Sequence, residues 1–293
     1  MRAVGAVWAC LLASAVAALP AAAQADEACD PSKGIGVART ADVDTRGGPW
    51  FGEPFGDPDF LAPGEVVLTF DDGPLPGSTS VILATLAAEC TKATFFVVGQ
   101  MAAAHPDLVK AIADQGHTVG GHTWSHPNLR RLAPAIARAQ IEIGFAEAEK
   151  AAGQPIAPFF RYPYLSSTPA TVAYLRGRDI AQFAVDIDSS DWLIRSAQRM
   201  IQRVMTKLEA RGRGIILLHD IHPSTALAIR GLLARLKEKG YRIVHLRPAA
   251  PVQTLVVSEL RVRAVARLTR FSERPRHVHA KVEETDWTRN WPF

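Results

Sequence analysis

Between residues 66 and 246 the chain alternates short apolar runs with longer amphipathic stretches, and no other feature restricts the fold as much. The apolar runs lie at 66–70, 93–98, 117–121, 158–161, 180–185, 214–219 and 241–246. Each is short and rich in β-branched or aromatic residues, which predicts strands rather than buried helices. The stretches between them, such as 80–90, 106–116, 134–153, 196–212 and 225–240, have the helical period, and several close on glycine. A helix between successive strands returns the chain to its starting end, so the strands run parallel. The expectation is an α/β domain of about seven parallel strands. Periodicity alone does not separate a barrel from an open sheet.

The flanks of this region read differently. Residues 1–25 carry Arg2, then the apolar run AVWACLLASAVAALP, then small residues before Asp26, which is the pattern of a secretory signal peptide. The rival is an uncleaved anchor. Elsewhere no stretch approaches the roughly 20 apolar residues of a membrane span, so an exported protein, periplasmic or secreted, without a stable span after signal cleavage is expected. Residues 26–64 are rich in Gly, Pro and Asp and read as an irregular N-terminal arm, pinned by Trp50, Phe51, Phe55 and Phe60. The domain itself covers 65–247, and 248–293 is a C-terminal extension of unknown order.

Composition excludes some functions. A formal charge of +4, with no basic stripe interleaved with aromatics, gives no reason to expect nucleic acid as a partner. At 48% hydrophobic over 293 residues, the chain can bury a sizeable core. Of its three cysteines, Cys10 would leave with the signal. Cys29 and Cys90 then remain as an even pair in an oxidising compartment, which reads as a disulfide worth roughly 4 kcal/mol in loop-closure entropy. Two free thiols are the rival.

In parallel α/β folds the C-terminal ends of the strands share one face, and active sites form there. The polar residues at those ends make a short set. Asp71 and Asp72 follow the first strand in LTFDDGP; HTWSH, from His122 to His126, follows the third; RYPY, from Arg161 to Tyr164, follows the fourth; DIDSSDW follows the fifth; and His219 ends the sixth in LLHD. Adjacent carboxylates repel unless something holds them, and a bound cation is one such holder.

Taken in order, TFDDGP, HTWSH, RYPY, DSSDW and LLH resemble the five motifs of the polysaccharide deacetylase family, the NodB-homology domain of carbohydrate esterase family 4, over roughly Glu65 to Leu246. The resemblance implies a distorted (β/α) barrel and a divalent metal, zinc before cobalt, held by Asp72, His122 and His126. Imidazole and carboxylate suit zinc, and three protein ligands leave positions open. A helical turn at His122–His126 would point both rings the same way. By the same resemblance Asp71 is the general base, Arg161 pairs with it through a two-bond fork, and the Tyr164 backbone N–H receives the developing oxyanion. His219 is the general acid, oriented by Asp191, while Trp192 and Leu217 line a pocket for the acetyl methyl. Asp186 and Asp188 read as structural, and Asp220 and His222 as loop residues without a role.

The implied partner is an acetylated polysaccharide or oligosaccharide. Deacetylation of N-acetylglucosamine in a chitin-like or peptidoglycan polymer comes first, with an esterase acting on O-acetyl xylan or another glycan as the alternative. Two further rivals are a non-haem iron oxygenase, which shares a two-His, one-carboxylate set, and a non-catalytic carbohydrate-binding domain.

Overall fold

A computed structural model of the chain describes residues 29–30, 32–56 and 60–253. The signal peptide reading for 1–25, and the extension beyond residue 253, lie outside the described residues. The strands are β1 (Arg39–Val43), β2 (Trp50–Phe51), β3 (Glu65–Asp71), β4 (Thr94–Val97), β5 (Thr118–Gly121), β6 (Phe159–Phe160), β7 (Ala181–Phe183), β8 (Ile187–Asp188), β9 (Gly214–His219) and β10 (Arg242–Pro248). The helices are α1 (Ser78–Ala88), α2 (Gly99–Ala104), α3 (Pro106–Asp114), α4 (Pro134–Ala152), α5 (Pro169–Arg176), α6 (Ala197–Arg211) and α7 (Pro223–Glu238).

Every strand pairing is parallel, and the main path runs β2-β7-β6-β5-β4-β3-β9-β8. β10 joins only the start of β3, at Glu65 and Val66, and carries β1 on its other side. Among the described residues no ladder joins β8 back to β7, so the α/β barrel is distorted and not closed by hydrogen bonds.

Side-chain parity along the strands builds two cores. On β3, Val66, Leu68 and Phe70 pack outward under the helices, while Val67 belongs to an inner cluster with Phe96, Phe159, Phe183 and Ile215. Because successive side chains alternate, Thr69 and Asp71 share the inner face with Val67. The same parity on β9 turns Ile215, Leu217 and His219 inward and Ile216 and Leu218 outward. The helices end where the glycines stand: α4 at Gly153 and α6 at Gly212 close with left-handed residues, φ 67° and 84°.

All seven expected strands are present, but the arm is not irregular throughout. β1 and β2 lie inside the segment read as loop, and β8 inside the run read as a loop after the fifth strand. The reason is that their pairing partners lie far away in sequence: β1 pairs β10, β2 pairs β7, and β8 pairs β9. A strand of two residues has no periodicity of its own to read.

Cys29 and Cys90 are joined, with their Cα atoms 5.5 Å apart, and tie the N-terminal segment to the end of α1. The bond closes a sequence separation of 61 residues. Cys29→Ser should therefore melt below wild type in oxidising buffer, by up to ~4 kcal/mol of stability. Reduced wild type should coincide with the variant, and a melting curve unchanged by both treatments would show that the bond contributes nothing.

Candidate active site

The mouth of the barrel collects the C-terminal ends of β3, β5, β6, β8 and β9. Arg161 follows β6, points inward and is fully buried. Its Nη1 donates to Thr69 Oγ1 at 2.7 Å and to Asp71 Oδ1 at 2.8 Å, and Nη2 donates to the Ala184 carbonyl at 3.2 Å. The fork expected on Asp71 is therefore divided among three acceptors. Thr69 lies two residues before Asp71 and so shares its face, which leaves Arg161 room to reach both. The guanidinium also stacks 4.3 Å from the Phe96 ring. Burial pulls Arg161 below its usual value, opposed by the neighbouring charge of Asp71.

Asp72, His122 and His126 converge next to this pair. Their ligand-type atoms lie within 4.8 Å of one another; His122 Nε2 stands 3.4 Å and His126 Nε2 3.3 Å from Asp72 Oδ1. His122 Nδ1 is 2.7 Å from the Arg161 carbonyl, which can only accept, so Nδ1 carries a proton and the ring is turned with Nε2 toward Asp72. Burial, reinforced by the adjacent His122, lowers His126 to about 4, so its ring is neutral at pH 7. Burial alone would raise the Asp72 carboxyl, yet the three imidazoles around it hold it well below the usual carboxylate range. Asp72 Oδ1 is itself buried and has no hydrogen-bond partner. An ionised oxygen facing imidazole nitrogens, with no donor between them, is costly unless a cation completes the set. The residues present fit a divalent metal.

The two histidines do not sit on a helical turn, as their spacing suggested. His122–His126 is an irregular loop in which Thr123 and His126 adopt φ 67° and 56°. Tertiary contacts hold it instead. Trp124 N–H donates to the Gln140 carbonyl, Ser125 N–H to the Gln140 side chain, and the Thr123 and Trp124 carbonyls accept from Gly99 and Gln100 at the start of α2. The two rings are brought to 4.9 Å between centroids by a turn that only this packing specifies.

Opposite the trio stand His219 and Asp191. Asp191 is fully buried and accepts three bonds of 2.7 Å: from His219 Nδ1 on Oδ1, and from the His219 N–H and the Thr225 hydroxyl on Oδ2. Burial disfavours a charged His219, but the Asp191 bond and the charges of Asp191, Asp71 and Asp72 outweigh it and raise the imidazole to about 9. His219 Nε2 faces the trio, 3.9 Å from Asp72 Oδ2. Asp191 is shifted down in turn: its burial is overcome by the same bond.

Between the two groups opens a cavity of about 460 Å³, walled on its apolar side by Tyr162, Leu165, Trp192 and Leu217, with Tyr164 and Asp188 at its rim. Trp192 is 55% and Tyr164 66% exposed, so neither is a core residue; Leu217, at 7%, forms the buried floor. Six of the eight described non-glycine residues with positive φ, namely Asp72, Thr123, His126, Tyr164, Leu165 and Ser190, sit in the loops around this mouth. Such conformations persist only where surrounding structure determines them, and they concentrate at functional sites. A second cavity, of about 400 Å³, lies at the other end of the strands, where Arg211 pairs with Glu53 at 2.7 Å and Asp186 at 3.0 Å. That pairing accounts for Asp186.

Eight of the ten site residues singled out from the sequence line one cavity, and the other two, Arg161 and Asp191, lie fully buried behind Asp71 and His219. Sequence reasoning missed Thr69, which strand parity could have supplied, and Thr225, Gln140 and Asp220, for which no local pattern existed. Asp220, read as a loop residue without a role, is 1% exposed.

The chain is similar to known proteins. The family model for polysaccharide deacetylase matches residues 61–182. A chitooligosaccharide deacetylase of Bradyrhizobium is 30% identical over 192 residues, covering 61% of this chain and 87% of the relative. A peptidoglycan-N-acetylglucosamine deacetylase of Listeria monocytogenes is 36% identical over 182 residues; the match covers 61% of this chain and only 37% of that longer protein. Among solved structures, a peptidoglycan deacetylase of Bdellovibrio bacteriovorus superposes with a TM-score of 0.66 at 33% identity, over 73% of this chain and 59% of that one.

The Arg161–Asp71 contact yields a stability prediction. Replacing Arg161 with Met keeps length and apolar stem but leaves a buried carboxylate without its cation, so chemical denaturation should show a loss of ~3 kcal/mol or more. A loss below ~1 kcal/mol would mean that water reaches Asp71 in the folded state.

Proposed function

Since the chain belongs to the polysaccharide deacetylase family, we propose that it is an exported, metal-dependent hydrolase that removes acetyl groups from an acetylated glycan, N-acetylglucosamine of a chitin-like or peptidoglycan polymer before others. The observation that supports this most directly is the buried Asp72 Oδ1, which has no hydrogen-bond partner and faces two imidazole nitrogens, flanked by one carboxylate held by Arg161 and one imidazole held by Asp191. Export is supported by the signal-like residues 1–25 and by the Cys29–Cys90 pair. Among the described residues no helix is long and apolar enough to cross a membrane.

In this reading Asp72, His122 and His126 hold a divalent cation, zinc before cobalt. Such an ion, when bound, supplies a Lewis acid to water and to the acetyl carbonyl. Asp71 then accepts the proton of the attacking water on Oδ2, because Oδ1 is engaged by Arg161. The Arg161 contact keeps that carboxylate oriented. The Tyr164 backbone N–H donates to the carbonyl oxygen as it gains charge. The acetyl methyl rests on Leu217 and Trp192 at the apolar wall.

A sugar amine leaves only when protonated. His219 Nε2 donates that proton, since Asp191 binds Nδ1 and keeps the ring in the charged form below about pH 9. An oxygenase would have no use for this second acid–base pair. An O-acetyl ester could occupy the same pocket, because the acetyl group is the same. Acetate release measured across chitin oligomers, peptidoglycan and acetylated xylan separates these substrates, and release from none of them would refute the activity.

Two outcomes test the roles. Asp71→Asn should lose acetate release by about 10²-fold or more while binding metal as wild type does, whereas His126→Ala should lose the metal. Near-normal turnover by Asp71→Asn would remove it as the base. Asp191→Asn removes the interaction that raises His219, so the imidazolium is lost at lower pH. The alkaline limb of the rate profile should therefore move toward neutral by about one pH unit or more. An unmoved limb would mean that His219 is not the acid.

A further inference from the structure

Asp220 takes no part in the chemistry assigned above, yet it lies between the two loops that carry it. It follows His219 directly, and its side chain is directed away from the cleft into the turn after β3. There Oδ1 accepts the Gly73 N–H at 2.9 Å and Oδ2 accepts the Thr79 hydroxyl at 2.7 Å. Its own N–H donates to the Asp71 carbonyl at 3.3 Å. Thr79 Oγ1 also accepts the Leu75 N–H at 2.8 Å, which extends the link to the start of α1.

The approach is close. A Cβ at Gly73 would lie 2.1 Å from Asp220 Oδ2, so only glycine lets the carboxylate reach this backbone. The residue immediately before is Asp72, held at φ 78°, a conformation that an aspartate pays for unless neighbours impose it. Its side chain makes no hydrogen bond through Oδ1 that could hold it there. The turn is tied instead by Asp220 on its far side, through the Gly73 N–H and the Asp71 carbonyl, and by the Val98 N–H, which donates to the Gly73 carbonyl at 3.2 Å.

We propose that Asp220 is the positioning residue of the cation site: it clamps the turn after β3 in the left-handed form that aims Asp72 at His122 and His126, and sets the separation of that turn from His219. The inference rests on the reading of Asp72 as a metal ligand. It predicts that Asp220 governs metal affinity without touching the metal or the substrate, as residues behind metal ligands do.

The test is cobalt(II) binding by the mature protein, followed by visible absorption and by calorimetry, for wild type, Asp220→Ala, Asp220→Asn and Thr79→Val, with thermal melts alongside. Asp220→Ala should weaken cobalt binding about tenfold or more and alter the absorption bands. Asp220→Asn keeps an acceptor for the Gly73 N–H and should recover much of the affinity; Thr79→Val, which removes one of the two side-chain contacts, should weaken binding by a smaller factor. If wild type binds cobalt and Asp220→Ala binds it with the same affinity and bands, the inference is overturned, whatever the melting temperature does. Should Asp220→Ala fail to fold, Thr79→Val decides, and unchanged affinity there overturns it. A wild type that takes up no cobalt overturns the ligand reading of Asp72 first, and this inference with it.

Discussion

A guanidinium with no exposed surface sits at the mouth of the barrel, and the rest of the site is arranged on it. Taking Arg161 out of water is expensive, and the expense is offset only where partners surround the charge. Thr69 and Asp71 of β3, the Ala184 carbonyl after β7 and the Phe96 face of β4 supply them for Nη1, Nη2 and the guanidinium plane, while the buried Nε has no hydrogen-bond partner. The carbonyl of the same residue receives His122 Nδ1 and so turns Nε2 toward Asp72. One residue therefore couples the orientation of the proposed base to the orientation of a proposed ligand. The ion pair is better understood as a device of placement than of stability, since apolar residues of similar volume would fill the barrel at less cost.

Around that fixed point, closely spaced ionisable groups are driven in opposite directions by their surroundings. His126 loses its affinity for protons through partial burial beside His122, while His219, half-buried as well, gains affinity because Asp191 is bonded to it. Burial alone would have made both imidazoles neutral. The fully buried carboxylate behind His219 decides which keeps its proton, and Thr225 together with the His219 backbone holds that carboxylate in place. Strain accompanies the arrangement, since most of the described non-glycine residues with positive φ border the mouth. Loops in such conformations need external ties, such as Gln140 under the histidine loop.

Much of this is legible in the sequence. The seven strands, the parallel sheet and the gathering of Asp71, Asp72, His122, His126, Arg161, His219 and Asp191 at one face follow from periodicity and from the polar residues at strand ends, because a side chain's face on a strand is a local property. The helical turn that the His122–His126 spacing allowed is absent, because an i, i+4 spacing permits such a turn without requiring it. The single hydrogen bond of Arg161 to Asp71 replaced the expected fork for a related reason: Thr69 and Ala184 compete for the same donors, and neither is adjacent to Arg161 in the chain.

The sequence by itself determined the type of the longer elements from residue 65 to 247, the parallel run of their strands and the list of chemically capable residues, since these depend on interactions within a few positions. Only the tertiary structure decided which of those residues face one another, which strands of the arm join the barrel, and that Asp220 serves the turn after β3 from 147 residues away. Contacts of that kind carry no local signal, because their energy arises from removing distant groups from water together.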